Sequence, residues 1–596
     1  MNVRVFVLKH LSAITILILC IVAVIPYSNI FGNQFVYDDF DFFVHWDGVK
    51  SLEHIPSFFQ GNLPTFHQHV YRPLRSLVQA VVYSIAGGEP FGFHVFSLGV
   101  HIAAVLLVYV LAKRIVPRGA AFITALLFAV LPIHTDSITF MTASFDTLGT
   151  VFVIAALYLY SIYRDRGTAW AYSGSIACAV ISFFMYEIAL VLPLLIMLYD
   201  ACFKEGKIRK LLRRARYYAP YFIGVVIYVA FRMRIVGHRF GGSLFESDPL
   251  GIRILTMLKG FVWYLYIMTV NYPLSISHLI PPARSLAEPA VFGSLIGVLG
   301  LLAFGVYCFR REKKLCAFLI FWFFISLAPV SNIIPLAIFV SEHYSYLTTF
   351  AWCAAFGFGL HVLYQRSRSQ RLKSVVIGLV VVLLIIYGGM TVRRNQDWRD
   401  NVSIFSSALA VNSHYAGGYN GLAFYYRLQK DYDRATDYAE KALAENPKYY
   451  VSHALLGEIA MEQGKHQQAV AYFDDALALN DSYVSAYLNR GVSYFHLQDF
   501  ERAEADYLRA LEIYPEYLLA HRNLGIVYLF QGKFQEAIPH LERVVAEDDD
   551  AEAYYGLGVA TINVGNIDRG VELLNRALEV NPAFEAARDA LQKIEQ

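Results

Sequence analysis

Two adjacent carboxylates, Asp38 and Asp39, stand in "NQFVYDDFDFF", directly after the first long apolar run of the chain. Charged groups at a membrane boundary are costly unless they face water or a polar partner, so the pair calls for a reason. One reason is chemical. A carboxylate beside a bound hydroxyl can accept its proton as the oxygen attacks an electrophile such as the anomeric carbon of a sugar. The other is structural, an acidic turn at the interface. His67 and His69 in "FHQHVYR" could ligate a metal, but a site needs further ligands, so they read as solvated loop residues and no metal is assigned. Tyr186 and Glu187 fall between two short apolar runs, where a turn outside the membrane accounts for them, although Glu187 could instead make a lumen-facing polar contact.

These residues are carried by a chain built mostly for lipid. Of 596 residues 57% are hydrophobic and 16% charged, and the mean hydropathy is +0.43, which excludes an ordinary soluble globular protein. The average hides a division. From Met1 to Met390 apolar runs of spanning length recur between short basic stretches, whereas beyond Asn401 charged residues become frequent and no such run remains. The formal net charge of +2 is too small to argue for a nucleic-acid partner, and the basic residues cluster between apolar runs. All six cysteines (Cys20, Cys178, Cys202, Cys308, Cys316, Cys353) lie in or beside apolar segments, so no disulfide framework is encoded.

Eleven runs read as crossings: residues 6–28, 91–112, 120–132, 147–163, 169–184, 188–199, 218–236, 289–309, 315–329, 346–363 and 375–391. The first is too long for a signal-peptide core and lacks a small-residue cleavage site, so it reads as a retained span, its start held in the cytoplasm by Arg4 and Lys9. The basic stretches 113–119, 163–167, 204–216, 310–314 and 365–373 then all fall on one side. A further apolar run, 254–272, would break that parity by crossing. It is therefore expected to be a re-entrant or double half-helix element buried in protein. The odd count places the carboxy-terminal region outside the cytoplasm, with the polar loops 31–72 and 237–253.

That region repeats itself. Ala423, Gly457, Gly491 and Gly525 are spaced by 34 residues, as are Ala435, Ala469, Ala503 and Ala537; the last unit, with Gly558 and Gly570, is one residue short. This is the tetratricopeptide period, two helices per unit meeting at small residues. Pro447, Pro515 and Pro582 mark the ends of second helices. Five units and a capping helix over 585–596 are expected, beginning near Ser413, and such solenoids commonly hold an extended peptide. Tyr419, Tyr425, Tyr487, Tyr494, Tyr528 and Tyr554 could line a groove, although aromatics at these positions more often pack between helices.

The stretch "VYRPLRSLVQAVVYSIAGGEPFGFHVFSLGVHIAAVLLVYVLAKRI" resembles the segment after the acidic motif of type C (GT-C) glycosyltransferases, most closely the transmembrane and tetratricopeptide-repeat O-mannosyltransferases. The similarity is carried in order by Tyr37, Asp38 and Asp39; Tyr71, Arg72, Pro73 and Leu74; Pro90, Phe91, Gly92, Phe93 and His94; His134 and Asp136 in "LPIHTDSI"; Asp146 in "ASFD"; Glu342 and Tyr346 in "SEHYSYL"; and Arg394, Asn395, Trp398 and Phe405 in "RNQDWRDNVSIF". Two departures remove permanent cations: Ser144 stands where the family often has Arg, and His343 where it often has Arg after Glu342. The middle outer loop, "SLFESDPLG", is also shorter than the family's.

The resemblance implies an all-α fold: a polytopic GT-C-like membrane domain over 1–400, then a tetratricopeptide α-solenoid over 401–596. It implies transfer of a sugar, mannose in the family, from a polyprenyl-phosphate carrier to an acceptor hydroxyl outside the cytoplasm, with the repeats recruiting a protein acceptor. Asp38 or Asp39 would be the base, Asp38 preferred. Tyr71, Arg72, His134, Asp136, Asp146, Glu342, His343 and Tyr346 would contact donor phosphate or substrate. The sequence requires no cofactor beyond the donor and leaves a divalent metal open. Compact outer loops favour a bacterial inner membrane with periplasmic repeats, the endoplasmic reticulum being the alternative setting. A non-catalytic scaffold is the alternative function, which would not require the acidic pair and its ordered downstream motifs.

Overall fold

The computed structural model describes residues 3–61, 70–206, 210–211, 213–237, 249–278, 280–334 and 338–595. Regular structure among them is entirely helical and divides into two compact units, Met1–Ser413 and His414–Gln596. The division lies beyond residue 400 because the short helix Asn401–Val411 belongs with the first unit.

The first unit contains α1 (Val3–Val24), the amphipathic α2 (Pro73–Ala86), α3 (Pro90–Ala112), α4 (Arg118–Val130), α5 (Met141–Arg166), α6 (Ala169–Phe183), α7 (Leu192–Asp200), α8 (Ala215–Ile235), α9 (Leu250–Val270), α10 (Pro289–Arg310), α11 (Lys314–Leu327), α12 (Thr349–Arg366), α13 (Gln370–Asp397) and α14 (Asn401–Val411). Each of the eleven expected runs lies on helix. Among the described residues six helices, α3, α5, α8, α9, α10 and α13, are long and apolar enough to cross a membrane alone, and α4 with the following Pro132–Ile138 makes a seventh bent by 53°. The protein is an integral membrane protein. Proline at the first turn starts α2, α3 and α10, where its missing N–H costs no hydrogen bond. Gly357 lets α12 touch α4 backbone to backbone, since a Cβ there would sit 2.8 Å from Thr124 N and 3.0 Å from Ala120 O.

The run that broke parity is one unbroken helix, α9, so a double half-helix is ruled out. The chain after it folds back along it. Tyr266 hydroxyl donates to Tyr272 O (3.0 Å), the His278 ring lies 4.4 Å from Trp263, Lys259 Nζ donates to Pro281 O, and Ala283 N donates to Thr256 Oγ1 (2.8 Å). Helix and extended return limb thus begin and end together, and the non-helical backbone is tolerated because it packs on protein.

In the second unit five helix pairs follow one another: α15 (Ala416–Leu428) with α16 (Tyr432–Glu445), α17 (Tyr450–Glu462) with α18 (His466–Leu479), α19 (Val484–His496) with α20 (Phe500–Ile513), α21 (Leu518–Phe530) with α22 (Phe534–Val545), and α23 (Ala551–Asn563) with α24 (Ile567–Val580). The final helix α25 (Glu585–Glu595) is the expected cap. Within a pair, a glycine of the first helix faces a large residue sixteen positions on. A Cβ would come within 2.7 Å of Phe473 at Gly457, 2.6 Å of Tyr507 at Gly491, 2.6 Å of Leu541 at Gly525 and 3.0 Å of Leu574 at Gly558. The first pair puts Ala423 and Ala439 at these places, both fully buried, so a small partner offsets the added methyl.

Candidate active site

The acidic loop is fixed to the far end of the first unit. Asn395, at the end of α13, donates to Pro26 O and Asn29 Oδ1 (both 2.8 Å) and accepts at its carbonyl from Asn33 Nδ2 (3.0 Å). Gln34 N donates to Arg399 O and Tyr37 N to Asn401 Oδ1, each at 2.9 Å. Tyr37 itself has φ +53°, a left-handed conformation unfavourable for a residue with a Cβ, and its ring packs 6.0 Å from both Phe140 and Phe405. That strain sits one residue before the acidic pair and persists because these contacts hold it.

The two acids are used differently. Asp39 is fully buried; its carboxylate accepts from Val36 N (3.2 Å), Thr142 N (2.8 Å) and Thr142 Oγ1 (2.6 Å). Thr142 is in the first turn of α5, whose N-cap Phe140 has no capping side chain, so Asp39 supplies the cap from 103 residues away. Burial pushes its carboxyl up to about 7 against those hydrogen bonds. Asp38 is half-exposed, within electrostatic reach of Arg75.

Behind the acids lies a charge hub. Arg72, just before α2, donates from Nη1 to both oxygens of Asp146 (2.9 and 2.8 Å) and from Nε to Glu187 Oε2 (2.7 Å), over the Tyr186 ring. Its guanidinium is saturated by two carboxylates, which makes it a strut in this state. Glu187, expected in a solvent turn, is instead a member of this hub and also accepts from Tyr228 hydroxyl (3.2 Å). Arg75, one turn on along α2, is only 4% exposed; its Nη1 lies 3.4 Å from Asp146 and its plane covers Phe42. Among the described residues its Nε and Nη2 have no hydrogen-bond partner. A buried guanidinium with spare N–H groups is costly, and an anionic ligand would relieve it.

A second group adjoins this hub. His343 Nδ1 and N lie 3.0 Å from Asp136 Oδ2, with Ser341 hydroxyl at 3.2 Å, and His343 is within reach of Asp146 and Arg72. Burial opposes its protonation, but Asp136 outweighs burial and holds His343 above its ordinary value. Glu342, fully buried, accepts from Ser275 N (2.5 Å) and lies 2.8 Å from His278 Nε2, which fastens the return limb of α9. Arg394 Nη2 stands 3.8 Å from Glu342 and, like Arg75, Arg394 keeps two nitrogens without a hydrogen bond among the described residues.

Three expected contacts are built into the core instead. His134 is fully buried between Phe128 O (3.0 Å) and Thr349 Oγ1 (2.8 Å), and Tyr346 is buried with its hydroxyl 2.8 Å from His101. Tyr71 is buried and donates to Phe59 O (3.3 Å). None offers a free polar atom to a substrate. His67, His69 and most of the shortened middle loop lie outside the described residues; among the described residues no group of three or more His, Cys, Asp or Glu is placed to hold a metal. Sequence reasoning missed Arg75; the signal for it is its place in the first turn of the amphipathic helix, three residues after Arg72.

Residues 70–232 match the family described as dolichyl-phosphate-mannose-protein mannosyltransferase, and 426–489, 482–546 and 528–594 match tetratricopeptide repeats. The chain is homologous to protein O-mannosyl-transferases. It is 21% identical to TMTC3 of Mus musculus over 74% of this chain and 52% of the relative, 23% identical to F38B6.6 of Caenorhabditis elegans (66% and 57%), and 22% identical to TMTC1 of Homo sapiens (66% and 50%). It spans about half the length of these curated relatives. Among solved structures the repeats are similar to YrrB, a tetratricopeptide protein with an unusual peptide-binding site, at 21% identity and TM-score 0.29, covering 32% of this chain and 99% of that one.

Proposed function

We propose that this chain is a membrane mannosyltransferase that moves mannose from a polyprenyl-phosphate carrier to a hydroxyl of a polypeptide acceptor outside the cytoplasm, with the repeats recruiting that acceptor. The observation that carries this reading is the split within the acidic pair: Asp39 is consumed by capping α5, while its neighbour Asp38 is half-exposed beside a buried cation. Asp38 takes the proton of the acceptor hydroxyl. The acceptor oxygen bonds to the anomeric carbon as the bond from that carbon to the phosphate oxygen breaks, and the phosphate leaves with the electron pair. Its charge is met by the spare N–H groups of Arg75 and Arg394 and by protonated His343. Arg72, Asp146 and Glu187 hold Arg75 in place. The names of the homologues support the reaction class, the parity of the basic loops supports placing the repeats outside the cytoplasm, and the compact outer loops favour a bacterial inner membrane, with the endoplasmic reticulum as the alternative setting.

The test is an assay of the purified protein with mannosyl, glucosyl and galactosyl polyprenyl phosphates and serine- and threonine-containing peptides, read by mass spectrometry. A hexose added to a hydroxyl only with the mannosyl donor is the expected product. Transfer from none of the donors, by a folded protein, overturns the proposal.

A further inference from the structure

The repeat unit contains a cluster for which the transfer chemistry has no use. First helices of successive repeats pack on one another more closely than second helices do, so the first helices line the inner face of the curved stack. Tyr449, Tyr483 and Tyr517 recur every 34 residues, each just before the first helix of its repeat, and Tyr450 follows the first of them. Their side chains converge: the Tyr450 and Tyr483 rings are 5.1 Å apart and nearly perpendicular, and Tyr449 and Tyr517 both lie within electrostatic reach of Tyr483. Tyr483 and Tyr517 in turn reach Glu458, in the middle of α17. All four tyrosines are half-exposed. They differ from the tyrosines expected at the groove, of which Tyr494 and Tyr528 are buried between helices.

The polar floor of this cluster is anionic. Glu458 accepts from Asn489 (3.2 Å) and pairs with Arg427 at 2.9 Å, and Arg427 pairs equally with Glu462. Two carboxylates share one guanidinium, which leaves one net negative charge. The whole unit leans the same way: residues 414–596 contain 16 Lys and Arg against 29 Asp and Glu, although the complete chain is formally +2. Tyrosines gathered around an excess carboxylate attract a cation, and a carboxylate-bearing peptide would be repelled.

We propose that the inner face of the repeats binds an extended, lysine- or arginine-bearing segment of the polypeptide acceptor, one cationic side chain seating among Tyr449, Tyr450, Tyr483 and Tyr517 over Glu458. This rests on the reading of the chain as acting on polypeptide and names the class of polypeptide. The test is fluorescence anisotropy of the full chain in nanodiscs with a labelled twelve-residue peptide of alternating lysine and threonine, and with the same peptide lysine-acetylated. Acetylation is expected to weaken binding about tenfold or more, and Glu458→Gln or Tyr483→Leu to weaken the lysine peptide about three- to tenfold. Equal binding of the two peptides, or tighter binding of a glutamate–threonine peptide, overturns the proposal; the acetylated peptide decides this on the unaltered protein even where a variant fails to fold. Binding needs no sugar donor, so the two readings fail separately. A lysine peptide that binds in this way but is never glycosylated under donor conditions removes the transferase reading alone, and transfer with equal KM to both peptides removes this one alone.

Discussion

The two units hold their form by contacts of opposite range. In the last four repeats, each seam joins a glycine to a large residue sixteen positions away, and the next unit repeats the device. In the membrane unit the decisive contacts link Asp39 to Thr142, Asp136 to His343, and Tyr37 to Asn401, separations of 103, 207 and 364 residues. A fault in the first kind of structure stays within a repeat or two. A fault in the second is felt wherever the partner lies, because a single buried group serves several elements at once.

The comparison predicts effects of graded size. The largest is expected at Asp38, where Asp38→Asn keeps size but removes basicity; turnover should fall about a hundred- to ten-thousand-fold at unchanged melting temperature. Asp39→Asn should instead lower the folded fraction, since the cap on α5 is weakened. Undiminished transfer by both variants at matched folded concentration would remove the site from this loop. Next comes Asp146→Asn, which leaves Arg72 and Arg75 short of a buried partner and should cost the membrane unit about 3–5 kcal/mol, part of it restored by adding Arg72→Gln. A thermal scan in detergent showing no loss would mean that the hub is not the strut described above. Gly491→Val should cost about 1–3 kcal/mol by overpacking against Tyr507, and only in the transition of the repeats; if the membrane unit melts earlier as well, the contrast between local and distant damage fails. The smallest effect is a pH dependence. His343 titrates above its ordinary value beside Asp136, so its charged form adds stability that is complete below about pH 6.5 and is lost as pH rises through the raised value. Melting temperature should therefore decline from about pH 6 to 8; Asp39, whose carboxyl is raised to about 7, contributes to the lower part of that decline, so His343→Gln should shrink the decline without abolishing it.

What the sequence disclosed follows the same division. The 34-residue spacing of Gly457, Gly491 and Gly525 announces the repeats because cause and effect lie in one window. The anomaly at 254–272 was legible too, since charge parity follows from the order of basic and apolar stretches along the whole chain, although the extended return limb beneath it carries no periodic signal. The role of Asp39 was not legible: nothing near residue 39 points to Thr142, and an acid that caps a distant helix looks the same in sequence as one that does chemistry. His134 and Tyr346 stand in motifs that mark a site, yet their atoms are spent on Phe128, Thr349 and His101. Arg75 was overlooked for the converse reason, as one more basic residue three positions after an arginine that had drawn attention.

The clasp between the acidic loop and the end of α13 also sets an order of assembly. A chain is made from its amino end and its early parts fold first, but Tyr37 finds its partner only at residue 401, and Asn33 and Gln34 find theirs at 395 and 399. The first loop therefore reaches the membrane early and waits, its strained turn unset, until the last membrane helix has been delivered. Chains cut short anywhere before α13 would carry the acids without the geometry.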